Sequence, residues 1–136
     1  MSKVTWKPGT LLAPVPAVMV SCGTMEKPNI ITVAWTGIVN SDPAMTYVSV
    51  RKERFSHELI LKSGEFVINL TTSALARATD LCGVKSGRNT DKFTLAKLTP
   101  EPACLLSWPL IAQSPPSAAW KGNPGPPFGT QANVFP

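Results

Sequence analysis

Apolar residues in the N-terminal half fall in short runs bounded by turn-formers, the spacing of strands rather than of long helices. Val15 to Ser21 is a continuous apolar run entered through Pro14 and Pro16, the pattern of a buried strand. Thr24 to Asn29 is polar and reads as a loop. Ile30 to Gly37 is rich in β-branched and aromatic residues and predicts a second strand able to pair with the first. Asn40-Ser41-Asp42-Pro43 then predicts a turn, because Asn and Asp side chains bond their own backbone. Met45 to Val50 completes a hairpin-like pair, and Glu65 to Leu70 (EFVINL) reads as a further strand.

Helix signals are fewer. Ser56 is placed to act as an N-cap, Glu58 falls in the first turn, Lys62 lies near the end and Gly64 can take the left-handed position that closes a helix. A second helix is expected from Ser73 to Leu81, with Thr72 or Ser73 as cap and Gly83 as terminator. GVKSGRNTDKF, from Gly83 to Phe93, reads as a loop carrying Lys85, Arg88 and Lys92. From Ser114 onward the pattern changes: the last 23 residues hold six prolines, three glycines and one charge, Lys121, without periodicity. The class expected is mainly β with short helices.

At 136 residues and 43% hydrophobic content, the chain can close one core and is too short for two. A net charge of +5 with only 15% charged residues, the Lys and Arg scattered, fits a small anion better than a nucleic acid. Cys22, Cys82 and Cys104 lie far apart with no CxxC pair, which argues against a disulfide framework or a zinc site and for reduced, buried thiols. The apolar run Leu11 to Val20 is interrupted by Pro14 and Pro16, lacks a charged leader and is too short to span a bilayer. A cytoplasmic protein, with no membrane partner, is the expectation.

Arg51, Lys52 and Arg54 stand between a strand end and a helix start. A helix N-terminus presents unpaired N–H groups and partial positive charge, so Arg51, Arg54 and the Ser56 hydroxyl form a candidate phosphate site. The same run also reads as a solvated turn. No phosphate-binding P-loop, dinucleotide GxGxxG or GxSxG elbow occurs. His57 is the only histidine and has no adjacent carboxylate or cysteine, and the carboxylates are scattered, so no catalytic residue or metal ligand is expected. Chemistry here would come from a cofactor. Packing accounts for most tryptophans, Trp6, Trp35, Trp108 and Trp120. Trp35, beside Thr36 and Gly37 at a strand end, has the best claim to a ligand, because a missing side chain lets a flat molecule approach the backbone.

Five blocks follow one another in a familiar order: Pro16 to Cys22; Asn29 to Pro43 with its AWTGIVNSDP core; Ser49-Val50-Arg51 followed by Ser56-His57-Glu58-Leu59-Ile60; GEFVINL at Gly64 to Leu70; and DLCG…SGRNTDKF at Asp80 to Phe93. Together they resemble the flavin reductase-like, FMN-binding split-barrel family, which includes flavoredoxin. The resemblance implies a split β-barrel with Greek-key connections, a homodimer, and FMN near the subunit interface. It implies a flavin-dependent oxidoreductase, either a reductase releasing reduced flavin or a flavoredoxin-like electron carrier, with NAD(P)H or another donor as the hydride source. Carried over by position, Trp35, Thr36 and Gly37 would lie along the isoalloxazine; Ser49, Val50, Arg51, Ser56 and His57 would hold the phosphate and ribityl chain; Lys92 would close the site. Asn29 and Ser41 match the family pattern and stand evenly between scaffold and ligand contact. Hydride passes from nicotinamide C4 to flavin N5, so the protein's task is to orient the rings and no protein acid or base is needed.

The resemblance covers about residues 10–114, so a flavin reductase-like domain is expected over 1–114, with 115–136 as an atypical tail. Relatives continue with VN-x-EC-type and then GTHD-type sequence, which Pro116 to Phe128 does not match. Gly129-Thr130 stands about where a Gly-Thr-His-Asp element belongs, followed by Gln131 and Ala132. The expectation is a frameshifted tail and a barrel incomplete at its C-terminus, since Pro-Gly-rich sequence cannot donate ladder hydrogen bonds. Translating the coding DNA in its other frames tests this. Two further readings follow: an FMN-binding module without turnover, and a basic β-barrel that binds nucleic acid, which lacks aromatics interleaved with its cations.

Overall fold

A computed structural model describes residues 4–42, 44–103, 108–115, 118–121 and 131–133. Pro43, Cys104, Pro116 and the Gly129-Thr130 pair lie outside these residues. The chain is mainly β with short helices, as expected.

β1 (Val18–Gly23) is buried along its whole length and forms the centre of a four-stranded sheet. Its alternate residues serve two cores, as the two-residue period of a strand requires. Val18, Val20 and Cys22 join Ile31, Val33, Val48, Ile60 and Phe66 on one face; Met19 joins Ile30, Leu75, Cys82, Phe93 and Ile111 on the other. A strand covered on both faces explains the unbroken apolar run. It starts at Val18 rather than Val15 because Pro14 and Pro16 have no N–H for a ladder.

β2 (Pro28–Val33) pairs antiparallel with β1, Val18 facing Val33 and Cys22 facing Asn29. The single strand expected from Ile30 to Gly37 is broken at Ala34 and Trp35. Beyond the break, β3 (Thr36–Ser41) belongs to a second sheet, paired with β4 (Ala44–Ser49). Both halves are β-formers, so propensity is blind to the change of sheet. The expected hairpin turn is present, with Asn40 Nδ2 donating to Asp42 O at 2.8 Å.

α1 (Phe55–Ser63) ends on Gly64 in the left-handed conformation (φ 70°), as expected, with Glu58 in its first turn and Lys62 in its last. Its N-cap is Arg54, with no side-chain cap bond, and not Ser56. Ser56 sits inside the first turn, buried, its hydroxyl accepting from Asn29 instead of capping. β5 (Glu65–Asn69) pairs with β1 on the side opposite β2.

A short 3₁₀ turn at Ser73–Leu75 leads into α2 (Ala76–Val84). Thr72 stands at the cap position without a side-chain bond, and Gly83 does not terminate the helix. Gly83 instead lets α2 press on β2: an added Cβ would stand 3.3 Å from Thr32 Cβ, and Thr32 Oγ1 donates to Thr79 O at 2.5 Å. Lys92, expected on a loop, is the first residue of α3 (Lys92–Ala96), which Asp91 caps by accepting from Thr94 N at 3.2 Å. β6 (Pro100–Pro102) and β7 (Pro109–Ile111) form a two-stranded sheet. The aperiodic tail contributes two short strands: β8 (Ala118–Lys121) beside β5 and β9 (Gln131–Asn133) beside β4. Among the described residues the three sheets do not close on one another.

Buried polar groups are knotted where strands meet. Asn69, fully buried, donates to Met19 O and Ser21 Oγ at 2.9 Å each and accepts from Ile111 N at 2.9 Å. Ser21 Oγ in turn donates to Pro109 O at 2.5 Å.

Candidate functional site

The break between β2 and β3 opens a groove of about 440 Å³ against the segment that leaves β4. Its walls include Trp35, Ser49, Val50, Arg51 and Arg54, with Ile31 at its floor. The backbone here is pinned, since Ser49 N donates to Trp35 O at 2.8 Å. The indole is 58% exposed, so Trp35 lies at the lip and does not pack in a core. Trp6 is exposed too, Trp108 is half-buried, and the Trp120 side chain lies outside the described residues.

Ile31 and Arg54 also line a second, smaller cavity of about 120 Å³ at the N-terminal end of α1, together with Ser56, Lys85, Gly87 and Lys92. Arg51 and Arg54 are exposed, and Arg51 lies 3.8 Å from the Glu53 carboxylate. Lys92 is different: it is 4% exposed, and its Nζ donates to Ile30 O at 2.7 Å and Cys82 O at 2.8 Å. The ammonium thereby ties β2 to the last turn of α2, where carbonyls favour a cation. Burial lowers its pKa below the usual lysine range, an effect partly offset by the neighbouring Cys82 and Cys22.

Behind this cavity Cys22 is fully enclosed. Burial pushes its thiol up to about 11, against hydrogen bonds from Asn29 and Ser56 and the charge of Lys92. Burial also raises the Cys82 thiol. Both cysteines are free. The Gly83–Phe93 segment closes over the start of α1, with the Arg88 guanidinium 5.3 Å from the centre of the Phe55 ring.

Of the residues expected at the site, Trp35, Ser49, Val50 and Arg51 share the groove, and Ser56 and Lys92 share the small cavity. Thr36, Gly37, Ser41 and His57 line neither. Thr36 Oγ1 donates to Tyr47 O at 2.6 Å, and Gly37 has no open space above it, because a Cβ there would stand 2.9 Å from the Tyr47 ring. Ser41 lies exposed at the hairpin tip. Asn29, which stood evenly between scaffold and ligand contact, is 3% exposed, its amide held by Ser56 and Cys22. Arg54, already placed in the candidate phosphate site, borders both cavities, and the Lys85–Gly87 turn was not singled out as a ligand contact. The cationic run before a helix was the signal for Arg54. Nothing local marks the turn, which reaches α1 only through the fold.

Residues 11–119 match the family described as flavin reductase like domain. The chain belongs to that family. Apart from Thr10, every residue lining the two cavities falls within the span matched to flavin reductase-like proteins. Flavoredoxin of Desulfovibrio vulgaris (Miyazaki F) is 33% identical, with a TM-score of 0.83 over 88% of this chain and 66% of that one. Flavoredoxin from Methanosarcina acetivorans is 25% identical, with a TM-score of 0.86 over 98% of this chain and 71% of that one. The fold is thus that of the flavoredoxin split barrel. An uncharacterised protein of Pyrococcus abyssi is 31% identical over 77 residues, which are 57% of this chain and 45% of that protein. The chain spans less than half the length of the curated relatives it matches. Among the described residues no helix is long and apolar enough to cross a membrane.

Proposed function

We propose that this flavin reductase-like chain binds FMN and passes reducing equivalents through it, as a flavin reductase or as a flavoredoxin-like carrier, with NAD(P)H or another donor supplying the hydride. One observation carries the reading: a groove of about 440 Å³ edged by an exposed indole lies beside a cavity of about 120 Å³ rich in cations and hydroxyls, the two sharing Ile31 and Arg54. The first has the size and mixed lining of a cofactor site. The second has the donor set a phosphate monoester requires: Arg54, Lys85, Lys92 and the Ser56 hydroxyl, with Glu53 as the nearby carboxylate. The residues therefore suit a flat ring joined to a phosphate.

In this reading Trp35 lies along the ring, Ser49, Val50 and Arg51 follow the ribityl chain, and Arg54, Ser56 and Lys92 face the phosphate. Asn29 stands behind Ser56, whereas Thr36, Gly37, Ser41 and His57 line neither cavity. FMN, when bound, supplies the hydride-accepting ring; the protein positions it and limits water. The relatives support the choice of ligand, one neighbour 25% identical being an FMN-binding domain of a flavin reductase-like enzyme from Shewanella baltica. A homodimer belongs to the same reading. Trp6, Leu11 and Leu12 in the N-terminal arm, and Ile38 and Val39 on β3, each expose apolar surface that a second copy would cover.

Purified protein titrated with FMN, followed by NADH and NADPH oxidation with and without added FMN, tests the proposal. Saturable binding and FMN-dependent oxidation support it; a protein that ignores FMN in titration rejects it. A second reading, FMN binding without turnover, is favoured by the separate sheets and by the three residues of β9 as the outer neighbour of β4. It predicts binding without nicotinamide oxidation.

A further inference from the structure

Asn29 reaches the small cavity only through another residue. It lies in β2 opposite Cys22, and its Nδ2 donates to Ser56 Oγ at 2.8 Å and to Cys22 Sγ at 3.7 Å. Its Oδ1 is pressed against Gly87, where a Cβ would overlap it. The amide is held from three sides and cannot rotate freely.

A serine hydroxyl carries one hydrogen and two lone pairs. Because Ser56 Oγ accepts from Asn29, its own hydrogen must be donated elsewhere. Two outlets are within reach: the Cys22 thiol, which is hydrogen-bonded to Ser56, and the cavity that Ser56 lines. A thiol sulfur is a weak acceptor, and an anionic oxygen in the cavity outcompetes it.

We propose that Asn29 is a positioning residue that fixes Ser56 as a hydrogen-bond donor toward the phosphate of the ligand, so that the site separates phosphorylated from unphosphorylated flavin. The identity of the ligand rests on the FMN reading; the hydrogen-bond polarity does not. Lys92 and Arg54 attract any anion, whereas a hydroxyl of fixed direction contributes only when an acceptor occupies one position. Gly87 belongs to the same device without touching the ligand through a side chain, since its bare backbone leaves room for the Asn29 carbonyl.

Wild type, Asn29→Asp, Asn29→Ala, Ser56→Ala, the double variant Asn29→Ala/Ser56→Ala and Gly87→Ala are checked for folding by circular dichroism, then titrated with FMN, riboflavin and inorganic phosphate. In Asn29→Asp the carboxylate accepts the Ser56 hydrogen and turns lone pairs toward the anion. FMN affinity should fall by about 10- to 100-fold, the worth of one hydrogen bond to a charged group, and riboflavin affinity by less than about threefold. Because Asn29 acts through Ser56, the double variant should lose no more FMN-over-riboflavin preference than Ser56→Ala alone. Gly87→Ala should reproduce the Asn29→Ala ratio, and it carries the comparison should Asn29→Asp fail to fold. Losses that add, or that fall equally on FMN and riboflavin, overturn the proposal while leaving FMN binding intact. A wild type that binds phosphate but no flavin, with the same non-additivity, removes the flavin reading and keeps this one. A wild type indifferent to both phosphate and FMN overturns both.

Discussion

Asn69→Ala removes the polar knot that joins β1, β5 and β7. The wild-type amide donates to Met19 O and Ser21 Oγ and accepts from Ile111 N, each at 2.9 Å and out of contact with water. The two lost donations are each worth about 0.5–1.5 kcal/mol net, and the buried Ile111 N–H left without its acceptor costs about 1–3 kcal/mol. Ser21 keeps Pro109 O as its own acceptor, so no further orphan arises there. The expected destabilisation is about 2–6 kcal/mol, a large share of the roughly 5–15 kcal/mol typical of a domain. Urea unfolding followed by circular dichroism measures it as a fall in midpoint at constant slope. Ser21→Ala in the same cycle should couple to Asn69→Ala by about 0.5–1.5 kcal/mol, since the two share one bond. A loss below about 1 kcal/mol, or strict additivity with Ser21→Ala, would refute the view that this amide fastens the three strands.

Three further outcomes are expected. Arg54→Ala should weaken FMN more than Arg51→Ala does, and more than it weakens riboflavin, whereas Arg51→Ala should weaken both flavins alike, because Arg54 borders both cavities while Arg51 borders only the groove and lies near Glu53; flavin titrations giving the reverse order would reassign the phosphate end. Cys22, held up to about 11 against the ordinary 9.0, keeps its proton in the fold after the unfolded chain has lost it. Its contribution is intact below pH 9.0 and declines as pH rises to about 11, by about 3 kcal/mol in all. Lys92 runs the other way, its lowered pKa relieving a penalty as pH climbs toward the usual 10.5, so the thiol is isolated by comparing wild type with Cys22→Ala; parallel stability curves above pH 9.0 would rule the effect out. Ile38→Asp, on a residue 82% exposed in β3, should convert a sedimenting dimer to monomer, and unchanged sedimentation would remove β3 from the proposed interface.

Much of the core was legible because strands buried on both faces leave short apolar runs, as at Val18 to Cys22 and Phe66 to Ile68. Gly64 was legible as a helix terminator because left-handed backbone favours glycine. Features decided by distant partners were not. Gly83 carries the same local signal as Gly64, yet its role is to let α2 lie on Thr32. Ser56 looks like a cap until Asn29, 27 residues earlier, takes its hydroxyl. Lys92 is a loop cation by composition and a buried cross-link in space, because Ile30 O and Cys82 O both require a donor that sequence spacing cannot reveal. At the site, the cationic run and Trp35 were visible, whereas the placing of two cavities side by side at Ile31 and Arg54 depends on how β2 meets α1.

The two-residue passage from β2 to β3 has an optical consequence. Trp35 stands where the chain leaves one sheet for another, its carbonyl fixed by Ser49 and its indole free at the rim. An aromatic guest in that groove would lie within quenching range of the indole, so the protein carries its own fluorophore at the seam. A Trp35→Phe variant would separate that signal from those of the other tryptophans, turning the fold's discontinuity into a direct gauge of occupancy.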